Sequence, residues 1–341
     1  MPGSLSALRD SRGGRSTGSR TPRPRRGGPR RATNPEPFVA AVHLLLLGES
    51  AKGDPLARYY PGLVEPAAPA TDAFPACRRF CLAHAGAIVE TVSGRSVNTN
   101  EVGRCAVLRL GYAEIAQMLP AARFAVVEIG ASAGLNQFWD DYCYEYESAA
   151  RTPMVAGDPA SPVRIGCAIR GTARPLLGPD DLFAARVVRR IGIELEPIGL
   201  DNPDDVAWLR ALVWPEQRER ASRLDHAIAI ARAARHRWNF GMRQGDGASL
   251  LPTIAAELAD GEALCVVHSF TLNQLSSEAR LTLDRTLSDA AATRDVLRLG
   301  LEWEHRDAPV LSLTLYGGSA GKRRDLARCD AHGSWVEWLA V

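Results

Sequence analysis

Glu128, Gly130, Ser132 and Gly134 stand at alternate positions where an apolar run, Phe124-Ala125-Val126-Val127-Glu128-Ile129, gives way to small residues. Residues of these types at this spacing can do chemistry of more than one kind. Paired glycines let a chain turn tightly and let backbone approach a ligand closely. The pattern G-x-S-x-G, met by Gly130, Ser132 and Gly134, is that of a nucleophile elbow whose hydroxyl attacks an acyl group. The dinucleotide pattern G-x-G-x-x-G is not met, because its third and sixth places hold Ser132 and Leu135. The bland alternative is a strand-to-helix turn that needs its glycines only for packing.

Other reactive types fall at positions that a fold could bring to the same place. Glu101 and Arg104 lie one helical turn apart in Asn98-Thr99-Asn100-Glu101-Val102-Gly103-Arg104, where Thr99 or Asn100 could instead cap the following helix. Glu194 and Glu196 end a short apolar run at Ile191–Leu195; Asp246 sits between two glycines; His268 and Ser269 close the run Ala263–His268. An elbow serine also needs an acid and then a histidine later in the chain. Asp246 with His268, or Glu302 with His332, satisfies that order. Residues 36–122, however, read as helices and lack the upstream strands and oxyanion loop that an elbow requires.

The elements that must position these residues can be read from periodicity. Phe124–Ile129 is short, apolar and β-branched, as a buried parallel strand should be. Further strands are expected at Tyr142–Tyr146, Pro162–Arg170, Ile191–Leu195, Trp238–Met242, Ala263–His268, Val296–Leu301, Leu311–Leu315 and Trp335–Leu339. Helices are expected at 105–118, 180–190, 203–213, 216–235, 250–259 and 278–292, with Asn202-Pro203-Asp204-Asp205 a capped start. Alternation of strand and helix argues for a doubly wound, mostly parallel sheet. In such a sheet ligand chemistry lies at the carboxyl ends of the strands. Glu128, Ser132, Glu194, Asp246 and His268 should therefore line one crevice, with Glu101 and Arg104 reaching it from the helical side. Residues 140–175 read as an insertion packed beside the sheet, able to act as a lid.

Length and charge bound the rest. The chain has 341 residues, 46% hydrophobic and 23% charged, as a globular protein does. Its net charge of +2 hides an asymmetry. Residues 1–33 hold nine arginines against Asp10, or +8, which leaves 32 basic and 38 acidic groups, or −6, in the remainder. The first 33 residues are too polar to bury a core and read as a disordered basic tail. The acidic body gives no nucleic-acid footprint. Residues 34–122 form a helical N-terminal region and 123–341 an α/β domain. Val39–Leu47 reads as a core helix and not a signal segment, and no run is long enough to span a membrane. Seven scattered cysteines without a C-x-x-C pair suit a reducing cytoplasm and no metal site.

Two resemblances add to this. Glu128 followed by Gly130, Ser132 and Gly134 resembles motif I of class I S-adenosylmethionine methyltransferases, an acid followed by G-x-G-x-G. More specifically, Thr99–Arg104, Glu128–Asn136, Gly157-Asp158-Pro159, Leu212-Val213-Trp214-Pro215-Glu216-Gln217 and Gly333–Leu339 resemble the uncharacterised bacterial domain-of-unknown-function family 2332, over residues 38–341. The first resemblance implies a Rossmann-like, seven-stranded core whose last strand inserts antiparallel. It also implies S-adenosylmethionine as cofactor. The Gly130–Gly134 loop and Glu128 would meet its methionine part, Glu194 or Glu196 its ribose and Asp246 its adenine. Arg104 would pair with its carboxylate, and His268 would stand by the methyl acceptor as general base. The expected function is thus an S-adenosylmethionine-dependent methyltransferase acting on an unspecified acceptor. A serine hydrolase using Ser132 and a non-catalytic binding module are the alternatives.

Overall fold

The computed structural model describes residues 35–149, 151–176, 182–237, 239–304, 307–317 and 321–339. The tail expected over residues 1–33 lies outside them. The described residues open with helices α1 (Glu36–Leu47), α2 (Phe74–Ala83), α3 (Ala85–Gly94) and α4 (Cys105–Met118). Strands β1 (Arg123–Ile129), β2 (Cys143–Ser148), β3 (Arg151–Gly157), β4 (Arg164–Arg170) and β5 (Val187–Glu194) follow. Next come α5 (Pro203–Ala211), α6 (Arg218–Ala234), β6 (Phe240–Gln244), α7 (Gly247–Glu257), β7 (Glu262–Ser269) and α8 (Ser277–Ala290). Strands β8 (Val296–Glu302), β9 (Val310–Tyr316), β10 (Lys322–Cys329) and β11 (Trp335–Trp338) complete the chain.

Among the described residues, eleven strands join one sheet in the order β3-β2-β4-β11-β10-β9-β8-β7-β1-β5-β6. Six of its ten pairings are parallel. The architecture is therefore mixed α/β with a large, mostly parallel sheet. β1 is interior, parallel to β5 on one side and β7 on the other, with β6 beyond β5. Alternate residues of β1 face opposite layers, as the two-residue period of a strand requires. Phe124 and Val126 belong to the core shared with α4 and α6, and Ala125, Val127 and Ile129 to the core beneath α7 and α8.

Several expectations need correction. The run 180–190 is not a helix where it is described: one 3-10 turn at Ala184–Arg186 leads into β5 at Val187. Two arginines disguise that strand. Arg190 is nevertheless fully buried, paired through both terminal nitrogens with Asp140 at 2.7 Å and lying over the Trp139 ring. The α-helix expected after the glycine turn is instead a kinked 3-10 segment, Leu135–Asp141. The segment 140–175 does not pack beside the sheet but joins it. It supplies β2, β3 and β4, the sheet's far edge. Nor does a last strand insert antiparallel beside β8. β9 takes that place, and the chain meanders on through β10 and β11 to meet β4. Among the described residues no helix is long and apolar enough to cross a membrane.

Candidate functional site

The turn after β1 is left-handed at three points: Gly130 (φ +74°), Ser132 (φ +55°) and Gly134 (φ +77°). Sterics reserve two of these for glycine. A Cβ on Gly130 would lie 2.3 Å from Thr271 Oγ1, and one on Gly134 would lie 2.5 Å from Phe240 Cζ. The close approaches that the glycines permit are thus made by the protein's own side chains. Gly134 packs beneath Phe240 and does not line the cleft described below.

Every backbone N–H from Gly130 to Leu135 has an internal acceptor. Those of Gly130 and Ala131 donate to the Ile193 carbonyl, and that of Gly134 to the Ala131 carbonyl. Ser132 N–H donates to Glu194 Oε2 at 2.9 Å. Ala133 and Leu135 N–H both donate to Asn100 Oδ1, at 3.2 and 3.0 Å. The Ser132 hydroxyl donates to the Asn98 carbonyl at 2.7 Å and is buried. An elbow nucleophile would present this hydroxyl to a histidine instead.

Parallel strands deliver their ends to one crevice. A cleft of about 260 Å³ opens there, lined by Gly130 and Ser132 after β1, Glu194 at the end of β5, Asp246 after β6 and Ser269 to Thr271 after β7. Val97–Asn100 and Arg104 close it from the helical side. Glu194 is half-buried and its Oε1 also accepts from Leu195 N–H at 2.8 Å. Asp246 is exposed and caps α7, with Oδ1 accepting from Ser249 N–H at 2.9 Å and Ser249 Oγ at 2.8 Å.

Arg104 joins the cleft but Glu101 does not. The Arg104 guanidinium lies 4.4 Å from the Phe270 ring centre, with Nε donating to the Ala331 carbonyl and Nη1 to Ser269 Oγ. Its Nη2 has no hydrogen-bond partner among the described residues. Burial pushes the group down to about 10, against the pull of the Glu101 charge. Glu101 points away, pairing with Arg220 of α6 and accepting from Gly103 N–H at 2.9 Å. It therefore takes the capping role that Thr99 or Asn100 was expected to fill, which frees Asn100 for the glycine turn.

Glu128 lies beneath the cleft and does not line it. Its carboxylate accepts from Asn136 Nδ2 and Gln137 Nε2, both at 3.3 Å, so it ties down the 3-10 segment after the turn. Burial raises its pKa to about 7, opposed by those two amides and by Arg104.

His268 also departs from expectation. It shares strand parity with Leu264 and Val266, whose core lies under α7 and α8. The ring is buried, with Nδ1 2.8 Å from Glu302 Oε1, and it does not line the cleft. The same Glu302 oxygen accepts from Thr271 and Leu272 N–H at 2.9 and 3.0 Å. Burial works to raise the Glu302 carboxyl. The bond and charge of His268, with these two N–H groups, outweigh it and hold the group below its ordinary value. His268 thus anchors the loop that carries Phe270 and Thr271, and its neighbour Ser269 takes the cleft-facing place. Phe270 itself is left-handed (φ +55°), and its ring lies 6.3 Å from the half-exposed Trp303.

Asn98, Asn100 and Thr271 were not singled out from the sequence as cleft residues, and Ser269 was noted only beside His268. Their signal was present in part. The polar run Asn98-Thr99-Asn100 precedes a helix that another residue caps, and Ser269 adjoins the histidine that was chosen.

Residues 5–338 match the model of a family described as "Uncharacterized protein conserved in bacteria (DUF2332)", and the chain belongs to that family. The match begins well before residue 38 and takes in most of the arginine-rich segment that the sequence pattern set apart. No curated protein matches the chain.

Proposed function

We propose that this family member binds S-adenosylmethionine in the cleft at the carboxyl ends of β1, β5, β6 and β7 and acts as a methyltransferase. The observation that carries this is the convergence of the glycine turn, Glu194 and Asp246 from adjacent parallel strands into one cleft with Arg104. It supports a Rossmann-like reading of the β6-β5-β1-β7-β8 half of the sheet.

The residues present suit such a ligand. Each Glu194 oxygen receives one backbone N–H and keeps a second lone pair, so the carboxylate can still accept from sugar hydroxyls. Asp246 Oδ2 stays available beside its capping oxygen. Arg104 Nη2 can donate to a carboxylate, and charged bonds of this kind are strong and directional. When bound, the cofactor supplies an activated methyl group on a cationic sulfonium. Glu194 and Asp246 bring negative charge to one side of the cleft, and Arg104 brings positive charge to the other. Ser269, Phe270 and Thr271, held by the Glu302 anchor, form the wall nearest Arg104. With His268 buried behind that wall, what these side chains do is position the reactants, and positioning alone can supply much of a transfer rate.

Thermal melting with S-adenosylmethionine and S-adenosylhomocysteine tests the reading. A ligand that binds only the folded state raises the melting temperature by mass action. No shift with either compound at millimolar concentration sinks it. The serine hydrolase reading is disfavoured by the bond from Ser132 Oγ to the Asn98 carbonyl. A fluorophosphonate probe should accordingly leave Ser132 unlabelled.

A further inference from the structure

The glycine turn differs from a phosphate-binding turn in one respect. Anion sites at strand-to-helix turns work because backbone N–H groups there lack internal partners and can point at the ligand. Here each N–H from Gly130 to Leu135 is already engaged. Two of the acceptors are side chains brought from elsewhere for that purpose. Asn100, from the strap before α4, places one buried oxygen on both Ala133 and Leu135. Glu194, from the neighbouring strand, places a carboxylate oxygen on Ser132 N–H. A negative charge therefore already sits on the turn, and Asp246 adds a second carboxylate to the same cleft.

We infer that this is a phosphate-excluding nucleoside site, in which Asn100 and Glu194 are specificity-determining residues. It accepts neutral or cationic nucleosides and rejects nucleoside phosphates and dinucleotides. The inference rests on the nucleoside reading of the cleft given above. Two physical effects enforce it. A phosphate at the turn finds no free donor, and displacing Asn100 to provide one leaves its buried amide unsatisfied. The half-buried Glu194 also repels the phosphate charge with limited screening, and the exposed Asp246 adds a smaller, solvent-screened repulsion. Specificity of this kind comes from what the site builds against the wrong ligand. Arg104 does not reverse the selection: its Nη2 is available, but Nε and Nη1 fix the guanidinium to Ala331 and to Ser269 of β7, across the cleft from the carboxylates of Glu194 and Asp246, so it serves a ligand carboxylate and not a phosphate at the turn.

The test is a calorimetric titration of the full chain with adenosine, S-adenosylhomocysteine and AMP. Wild type should bind the first two and hold AMP on the order of 100-fold more weakly than adenosine, a difference set by exclusion. Asn100→Ala frees the Ala133 and Leu135 N–H groups and should lower the AMP-to-adenosine ratio of dissociation constants by about tenfold. Asn100→Asp keeps the acceptor and should keep the ratio at or above the wild-type value. Should Asn100→Ala not fold, Glu194→Gln keeps an acceptor for Ser132 N–H without the charge and should lower the ratio in the same direction. A merely structural Asn100 would shift both ligands equally. AMP bound as tightly as adenosine by wild type overturns the inference while leaving a nucleoside site in place. Failure of adenosine, S-adenosylhomocysteine and AMP alike overturns the nucleoside reading and the inference with it.

Discussion

Burial disfavours the charged form of a carboxyl group, and for Glu128 two amide donors and the Arg104 charge offset that cost only in part. Its folded value of about 7 stands above the ordinary 4.5, so the folded state holds an extra proton between those values. Stability must then fall as pH rises from about 4.5 to 7, by on the order of 3 kcal/mol in total. Glu128→Gln removes that dependence. Because a glutamine offers one acceptor fewer, the variant should be the less stable protein near pH 5 and gain on wild type as pH rises. Denaturant titrations at several pH values read this directly, and parallel profiles for the two proteins would contradict it. Arg104 makes a second prediction at this scale. Its guanidinium is stacked and forked in a way that an ammonium cannot copy. Arg104→Lys should weaken S-adenosylhomocysteine binding by about 1–3 kcal/mol, the value of a charged hydrogen bond. A silent substitution in calorimetry would remove Arg104 from the ligand contacts.

At the scale of elements, the cleft is held by loops that are anchored from behind. Glu302, at the end of β8, holds His268 of β7 and the N–H groups of Thr271 and Leu272 with one oxygen. Gly300 makes room for that histidine, since a Cβ there would lie 2.5 Å from His268 Cε1. Glu302→Ala should therefore cost on the order of 3 kcal/mol in denaturant unfolding, because it leaves the buried His268 and two part-buried N–H groups unpaired. It should also weaken ligand binding, although Glu302 does not line the cleft. The Glu302 carboxyl is held below its ordinary value, so its contribution is present at neutral pH and is lost as pH falls below about 4.5 towards its folded value. That sign is opposite to the one for Glu128. The strap at Val97–Asn100 plays the matching role on the other side of the cleft. Trp208 Nε1 donates to the Ser96 carbonyl, and Asn98 and Asn100 then reach the glycine turn. Periodicity could not have found this strap, because it has no regular structure and its polar side chains bond to backbone distant in sequence.

At the scale of the molecule, what could be read in advance follows from what each residue pattern encodes. β1 and β7 are mostly apolar on both faces, and β8 presents Leu297, Leu299 and Leu301 on one face, so all three were legible as buried strands. Helix α4 and the cap at Asn202 were legible from spacing and local hydrogen bonding. β10 was not, because Lys322-Arg323-Arg324-Asp325 pairs its charges across the surface and gives no apolar alternation. β3 was hidden by Pro153, which an edge strand tolerates. Of the candidate site, the strand-end residues Ser132, Glu194 and Asp246 were legible because parallel topology gathers strand ends. Which of Glu128, Gly134 and His268 would face the cleft was not legible, since that depends on parity and on packing partners supplied by other elements. The measurement closest to the central claim is a calorimetric titration of S-adenosylhomocysteine into wild type and Glu194→Ala. Saturable binding of one ligand per chain, weakened by about tenfold or more in Glu194→Ala, is the predicted result. No binding to wild type, or binding that Glu194→Ala leaves unchanged, would contradict it.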